Sequence, residues 1–249
     1  MKISGVVIVK NAEEFITECL NSLSFCDEVV VVDSGSTDNT LSIAKKFNCK
    51  IIKENFNDFS EMRNVGLHEA SGDWIVYLDA DERISKELSK EIMHVLSQPI
   101  DYGAFKIPRQ NYYLGKNPWP YIEHIERLFN RKKLKKWYGK IHESPEVNGK
   151  IGNLQNPIFH FTHRTLQLMV TKTVEWSKIE AKLRYDNNHP PMKWWRFPRV
   201  MIQAFYHSYI TEGGWKVGTV GIIESLYQAF SIFITYAQLW ELQKNHEDH

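Results

Sequence analysis

Trp74-Ile75-Val76-Tyr77-Leu78-Asp79-Ala80-Asp81-Glu82 carries an unbroken apolar run straight into a cluster of acids. A short, wholly apolar run predicts a strand buried on both faces, as in a parallel sheet. Acids placed directly after it stand at the carboxyl end of that strand, where open α/β sheets bind their ligands. Upstream, Ser71-Gly72 is a stop signal for a helix over 59–68. Downstream, Ser85 is placed to cap a helix with Leu88, Ile92, Val95 and Leu96 on one face.

Working toward the N-terminus, Ile3–Val9 reads as a first strand, 28–32 as a second and 50–52 as a third. Between them, Asn11 is placed to cap a helix carrying Phe15, Ile16, Cys19, Leu20 and Leu23. Ser36 or Thr37 is placed to cap one carrying Leu41, Ala44 and Phe47. Strands alternating with helices of this length mean βαβ units and a parallel sheet. From 101 to 160 the pattern turns irregular. The segments 103–108 and 124–129 read as strands, with Pro118, Pro120 and Pro145 between and beyond them, in a partly antiparallel region that completes the sheet. After His163 the chain reads as helical. The expectation is an α/β catalytic domain over 1–162 and a helical, membrane-associated region over 163–249.

Composition excludes several classes. The chain has 249 residues, 43% of them hydrophobic and 24% charged, with a formal net charge of +1. Those proportions argue against disorder and against a general attraction to nucleic acid. The three cysteines, Cys19, Cys26 and Cys49, form no CxxC pair and suit a reducing compartment. No signal-peptide pattern opens the sequence, so a cytoplasmic start is expected.

Asp79 and Asp81 are hard oxygen ligands of the kind Mg²⁺ and Mn²⁺ prefer, while water and substrate phosphates complete the shell. The other reading is a solvated turn at a helix start. A second motif, Val31-Val32-Asp33-Ser34-Gly35-Ser36-Thr37-Asp38, also follows a strand. Gly35 permits a tight turn, and Asp33 is suited to accept from a base N–H or a ribose hydroxyl. This is neither GxGxxG nor a Walker loop. Asp38 reads as structural.

The pieces Val-Val-Ile-Val-Lys-Asn (6–11), Val-Val-Asp-Ser-Gly-Ser-Thr-Asp (31–38), Arg63-Asn64-Val65-Gly66 and Tyr-Leu-Asp-Ala-Asp-Glu (77–82) together resemble glycosyltransferase family 2, which has the GT-A fold. The opening departs from the commoner Pro-Thr-Tyr-Asn form and resembles the lipopolysaccharide-core β-1,4-glucosyltransferase subgroup. So do Arg127-Leu128-Phe129 and Trp137-Tyr138-Gly139-Lys140-Ile141-His142-Glu143. The resemblance implies inverting transfer from a UDP-sugar, glucose in that subgroup, to a lipid-linked glycan such as the lipopolysaccharide inner core. It implies a nucleotide-sugar site at Asn11, Asp33, Ser34, Gly35, Arg63, Asp79, Ala80 and Asp81. Of the two metal candidates, it implies that Asp81 is the direct ligand of Mg²⁺ or Mn²⁺. The general base, which many members carry in a Glu-Asp pair, falls here on His142-Glu143. Glu143 is the first choice, His142 is an alternative base or orienting group, and Glu126 is the next carboxylate. Arg109 and Arg127 are candidates for phosphate or acceptor contacts, or for salt bridges. His160 and His163 have no cysteine or carboxylate nearby at ligand spacing and read as ordinary histidines.

The basic run Arg131-Lys132-Lys133-Leu134-Lys135-Lys136 reads either as a solvated hairpin or as a contact for anionic lipid or acceptor phosphate. Lys193-Trp194-Trp195-Arg196-Phe197-Pro198-Arg199 has the composition of a membrane-interface segment. A helix over 219–242 has a charge-free part of 16 residues, 225–240. At about 1.5 Å per residue that part is shorter than the roughly 30 Å hydrocarbon core. Helices lying on the membrane or packed on the catalytic domain are therefore expected, and a homo-oligomer through them stays open. The expected location is cytoplasmic, peripheral on the inner face of a bacterial inner membrane. Rival readings are a transferase of the same fold acting on polyprenyl phosphate or another cell-surface glycan, and a silent sugar-nucleotide-binding scaffold.

Overall fold

The structure, a computed structural model, describes residues 1–56, 58–139 and 143–245. Its main sheet runs β3 (Lys50–Lys53), β2 (Glu28–Asp33), β1 (Ile3–Val9), β4 (Trp74–Asp79), β7 (Asn117–Asn130), β6 (Tyr102–Tyr113), β11 (Ile158–Phe161) and β5 (Glu82–Ile84), with β10 (Lys150–Asn153) paired to β6. The pairs β3–β2, β2–β1 and β1–β4 are parallel, while β4–β7 and β11–β5 are antiparallel. A separate antiparallel ribbon joins β8 (Leu134–Tyr138) to β9 (Ser144–Val147).

All seven residues of β1 are buried. Alternate β1 side chains serve opposite faces, as strand geometry dictates. Val7 and Val9 join α1 (Ile16–Ser22) and α4 (Lys86–Leu96) through Ile16, Leu20, Leu88 and Ile92. Val6 and Ile8 join α3 (Phe59–Glu69) through Met62 and Leu67. Gly66 is required at that contact, because a Cβ there would lie 2.3 Å from Val6 Cγ1. Ser85 caps α4, its Oγ accepting from Leu88 N at 3.1 Å.

Two expected caps are displaced. Helix α1 begins at Ile16, so Asn11 does not cap it. Helix α2 (Thr40–Lys46) begins after Asn39, so neither Ser36 nor Thr37 caps it. The irregular middle is also more regular than expected. β6 and β7 have 12 and 14 residues and absorb Pro108, Pro118 and Pro120.

The chain divides into two compact units: 1–110 with 122–160, and 111–121 with 161–249. The second unit thus takes in the residues linking β6 and β7 as well as the C-terminal helices. Within it, Thr165 caps α5 (Leu166–Asp186), and Tyr227 on α7 (Gly218–Asn245) donates to Met169 O on α5 at 2.8 Å. α6 (Arg196–Tyr206) passes into a π-helical turn, His207–Thr211. By length and composition, residues 214–245 form a helical stretch apolar enough to cross a membrane. Glu224, which bounds the charge-free part of that stretch, belongs to the buried side of α7, where its Oε1 meets His163 Nδ1 at 2.9 Å.

Candidate active site

The carboxyl ends of β1, β2 and β4 converge, and each motif has a definite place there. Asn11 has a positive φ of 49° and clips the end of β1 to the loop after β2. Its N–H donates to Ser36 Oγ at 2.9 Å, and its Oδ1 accepts from Thr37 N at 2.8 Å. Asp33 does not present a carboxylate to a nucleotide, contrary to the expectation. It is fully buried, and its oxygens accept from Gly35 N, Ser36 N and the Ser36 hydroxyl. Its role is to fold the turn, which leaves half-buried Ser34 and Gly35 at the turn's accessible edge. Asp38 likewise accepts from Thr40 N and Glu13 N, as a structural residue should.

Arg63-Asn64-Val65-Gly66 is explained residue by residue. Gly66 lets α3 approach β1. Asn64 forms a paired amide contact with Trp137 on β8, donating to its O at 2.9 Å and accepting from its N at 2.8 Å. Arg63, 1% exposed, lies with its guanidinium 5.0 Å from the Trp137 ring centroid. It donates through Nη2 to Asp79 Oδ1 at 2.8 Å and through Nε to Glu143 Oε1 at 2.9 Å. One cation thus joins the acidic motif at the tip of β4 to the carboxylate expected to serve as base. His142 lies outside the described residues.

The other Asp79 oxygen, Oδ2, accepts from Arg127 Nη2 at 2.7 Å. Behind it, Glu82, fully buried, accepts from Arg127, from Arg109 Nη1 at 3.1 Å and from Asp79 N at 3.0 Å. Arg109 also pairs with Glu123. Burial raises the proton affinity of Asp79, but Arg127 and Arg63, then His160 and Arg109, reverse that and hold its carboxyl far below the usual range. Burial likewise disfavours charge on Arg127, and Asp79 and Glu82 overcome it. Among the described residues, Arg63 Nη1 and Arg127 Nε are buried donors with no hydrogen-bond partner.

Asp81 sits differently. Its Oδ1 is 3.5 Å from His160 Nε2, because the β11–β5 register sets His160 opposite Glu82. Burial works against a proton on His160, and the Asp81 hydrogen bond and charge, followed by Glu82, outweigh it and raise the pKa. His160 is therefore not an ordinary histidine: the carboxylate absent from its sequence neighbourhood is supplied in space. His163 has one too, in Glu224. Sequence spacing gave no signal for either pair. Glu82 was visible only as the last letter of a motif.

Does a divalent cation fit? Both Asp79 oxygens are held by arginines, so Asp79 is not placed as a direct ligand. Asp81 and His160 offer an oxygen and a nitrogen side by side. No three His, Cys, Asp or Glu among the described residues form a metal-holding group. Substrate oxygens and water would complete such a shell, as is usual for Mg²⁺ and Mn²⁺. Glu126 pairs with Lys106 at 3.4 Å, a structural contact. Two lysines of the basic run pair with acids outside it, Lys133 with Asp101 and Lys135 with Glu146, which favours the solvated hairpin.

Comparison with known proteins agrees with this arrangement. Residues 4–149 match the family model described as glycosyl transferase family 2. The lipopolysaccharide core biosynthesis glycosyltransferase LpsC of Rhizobium meliloti (strain 1021) is 25% identical over 97% of this chain and 93% of its own length. Among solved structures, the mannosyltransferase PcManGT from Pyrobaculum calidifontis, in complex with GDP-Man and Mn²⁺, superposes with a TM-score of 0.58 at 14% identity, covering 96% of this chain and 87% of that one. S. aureus TarS 1-349 in complex with UDP-GlcNAc gives 0.51 at 17% identity, covering 99% and 92%. The sheet order, the strand-tip acids and the family match agree: this chain is a GT-A-fold glycosyltransferase belonging to glycosyl transferase family 2.

Proposed function

We propose that the protein transfers a sugar, glucose from UDP-glucose, with inversion, to a lipid-linked glycan of the lipopolysaccharide inner-core type at the cytoplasmic face of the inner membrane. The observation that carries this reading is the Arg63 guanidinium bonded to both Asp79 and Glu143. It joins a diphosphate-side group to an acceptor-side carboxylate. The name of the Rhizobium relative supports the choice of acceptor.

In this mechanism Ser34, Gly35 and Ala80 border the nucleotide sugar. Arg63 and Arg127, each with an unpartnered N–H, supply donors for an anion. Asp81 and His160 would hold Mg²⁺ or Mn²⁺, which when bound offsets charge growing on the diphosphate. The acceptor hydroxyl oxygen forms a bond to the anomeric carbon as the bond from that carbon to the diphosphate oxygen breaks. Glu143 takes the hydroxyl proton, and UDP leaves with the bonding electron pair. Asp79 orients both arginines, and Glu82 fixes Arg127 and Arg109 from behind.

Thermal unfolding with a panel of nucleotide sugars, with and without Mn²⁺, tests the binding half of this reading. A UDP-sugar at about 100 times its dissociation constant should add about 2.7 kcal/mol of stability. The metal-dependent part should vanish in Asp81→Ala. No stabilisation by any nucleotide sugar would refute it.

A further inference from the structure

The surface of the second unit carries a feature that catalysis does not use. None of the 11 residues of α6 is fully buried. Trp195, Arg199, Ile202 and Tyr206 follow one another at helical spacing along its outer side, and Trp194 stands just before it. Trp194 is 82% exposed and Ile202 67%, values that no satisfied core helix shows. The inner side is occupied: Phe197 meets Phe233 of α7 with ring centroids 5.9 Å apart. On α7, Ile223, Leu226 and Phe230 are also exposed at helical spacing.

Charge decides what covers this face. Residues 187–211 contain Lys193, Arg196 and Arg199 and no Asp or Glu. The Arg196 guanidinium lies 5.4 Å from the Trp195 ring centroid, so cation and indole share one patch. Beyond the π-helical turn, Lys216 repeats the arrangement over Trp215 at 5.5 Å. A second copy of the same face would bring like charges together. A bilayer with anionic headgroups meets both halves of the chemistry: phosphates for the cations, and the headgroup–acyl boundary for indole and aliphatic side chains.

We propose that α6, with Trp194 and Trp195 at its start, lies in the plane of an anionic phospholipid surface, to which Lys193, Arg196 and Arg199 bind electrostatically. This rests on the membrane-face part of the proposed function and names the surface that makes the contact. It places a lipid-borne acceptor and the enzyme on the same two-dimensional surface.

The test is flotation of the full-length protein with vesicles of phosphatidylglycerol in phosphatidylcholine, against vesicles of phosphatidylcholine alone. The wild type should float with the anionic vesicles and lose binding as salt rises. Arg196→Gln with Arg199→Gln should weaken binding about 30-fold. Ile202→Ser, at an exposed position, should weaken binding while thermal unfolding stays as in the wild type. Failure of the wild type to bind anionic vesicles would overturn the proposal. So would equal binding by the double Gln variant, or burial of Trp194 in a concentration-dependent dimer. Thermal stabilisation by a nucleotide sugar with Mn²⁺ in vesicle-free solution reports on the donor-site reading alone, so the two can fail separately.

Discussion

Asp79 shows how a residue's role follows from its partners rather than its type. In the sequence it is one of two acids after a strand, equal to Asp81 as a metal candidate. In the fold its two oxygens are each held by a guanidinium, while Asp81 faces an imidazole. Removing the Asp79 charge leaves Arg63 and Arg127 buried without their shared counter-ion, and losing one partner of a buried pair is costly. Asp79→Asn should therefore lower the unfolding free energy by about 3 kcal/mol in chemical denaturation. An unchanged midpoint would mean that the network adds nothing to stability. Asp33 teaches the same lesson in reverse: an acid beside a glycine turn looks like a ligand, yet its acceptors are spent on its own loop. Nothing in the local sequence distinguishes those outcomes, because they depend on whether the turn's own N–H groups fold back.

At the scale of elements, the parallel core was legible. Apolar, β-branched runs mark β1, β2 and β4, and the Ser85 cap and Leu88–Ile92–Leu96 spacing mark α4. The full length of β6 and β7 was not, since Pro118 and Pro120 read locally as breaks and only neighbouring strands make room for them. Nor was the β11–β5 register, which joins positions far apart in sequence and alone creates the Asp81–His160 pair. Another long-range tie is Glu28 at the start of β2. It accepts from Ser4 Oγ at 2.5 Å and from Ser71 N at 2.6 Å, linking β2 to β1 and to the turn before β4. Burial pushes its pKa up, but these hydrogen bonds outweigh that and leave it lowered. A lowered folded pKa gives stability that is present above the ordinary glutamate value, about 4.3, and fades as pH falls below it. Glu28→Gln should thus melt at lower temperature than wild type at neutral pH, with the gap closing in acid. A gap that widens in acid would show that the carboxylate is not the source.

At the scale of the whole chain, the family was legible because four motifs stand in the right order over the first hundred residues, and the family match over 4–149 agrees. The second unit was read only as helical and aromatic, since its polar contacts, Glu224 with His163 and Trp119 with Glu212, span distant positions. In the proposed reaction the tip of β4 is central: Asp81 would hold the cation that offsets charge on the diphosphate, and Glu143, beside Arg63, would take the acceptor proton as UDP leaves. The most direct test is the rate of UDP release from UDP-glucose in the presence of a lipopolysaccharide inner-core acceptor, measured with Mn²⁺ and after chelation, for wild type, Asp81→Asn and Glu143→Gln. Metal-dependent release in the wild type, falling about 100-fold or more in each variant, is the predicted result. Release by Asp81→Asn at the wild-type rate, or release that survives complete removal of metal, would contradict it.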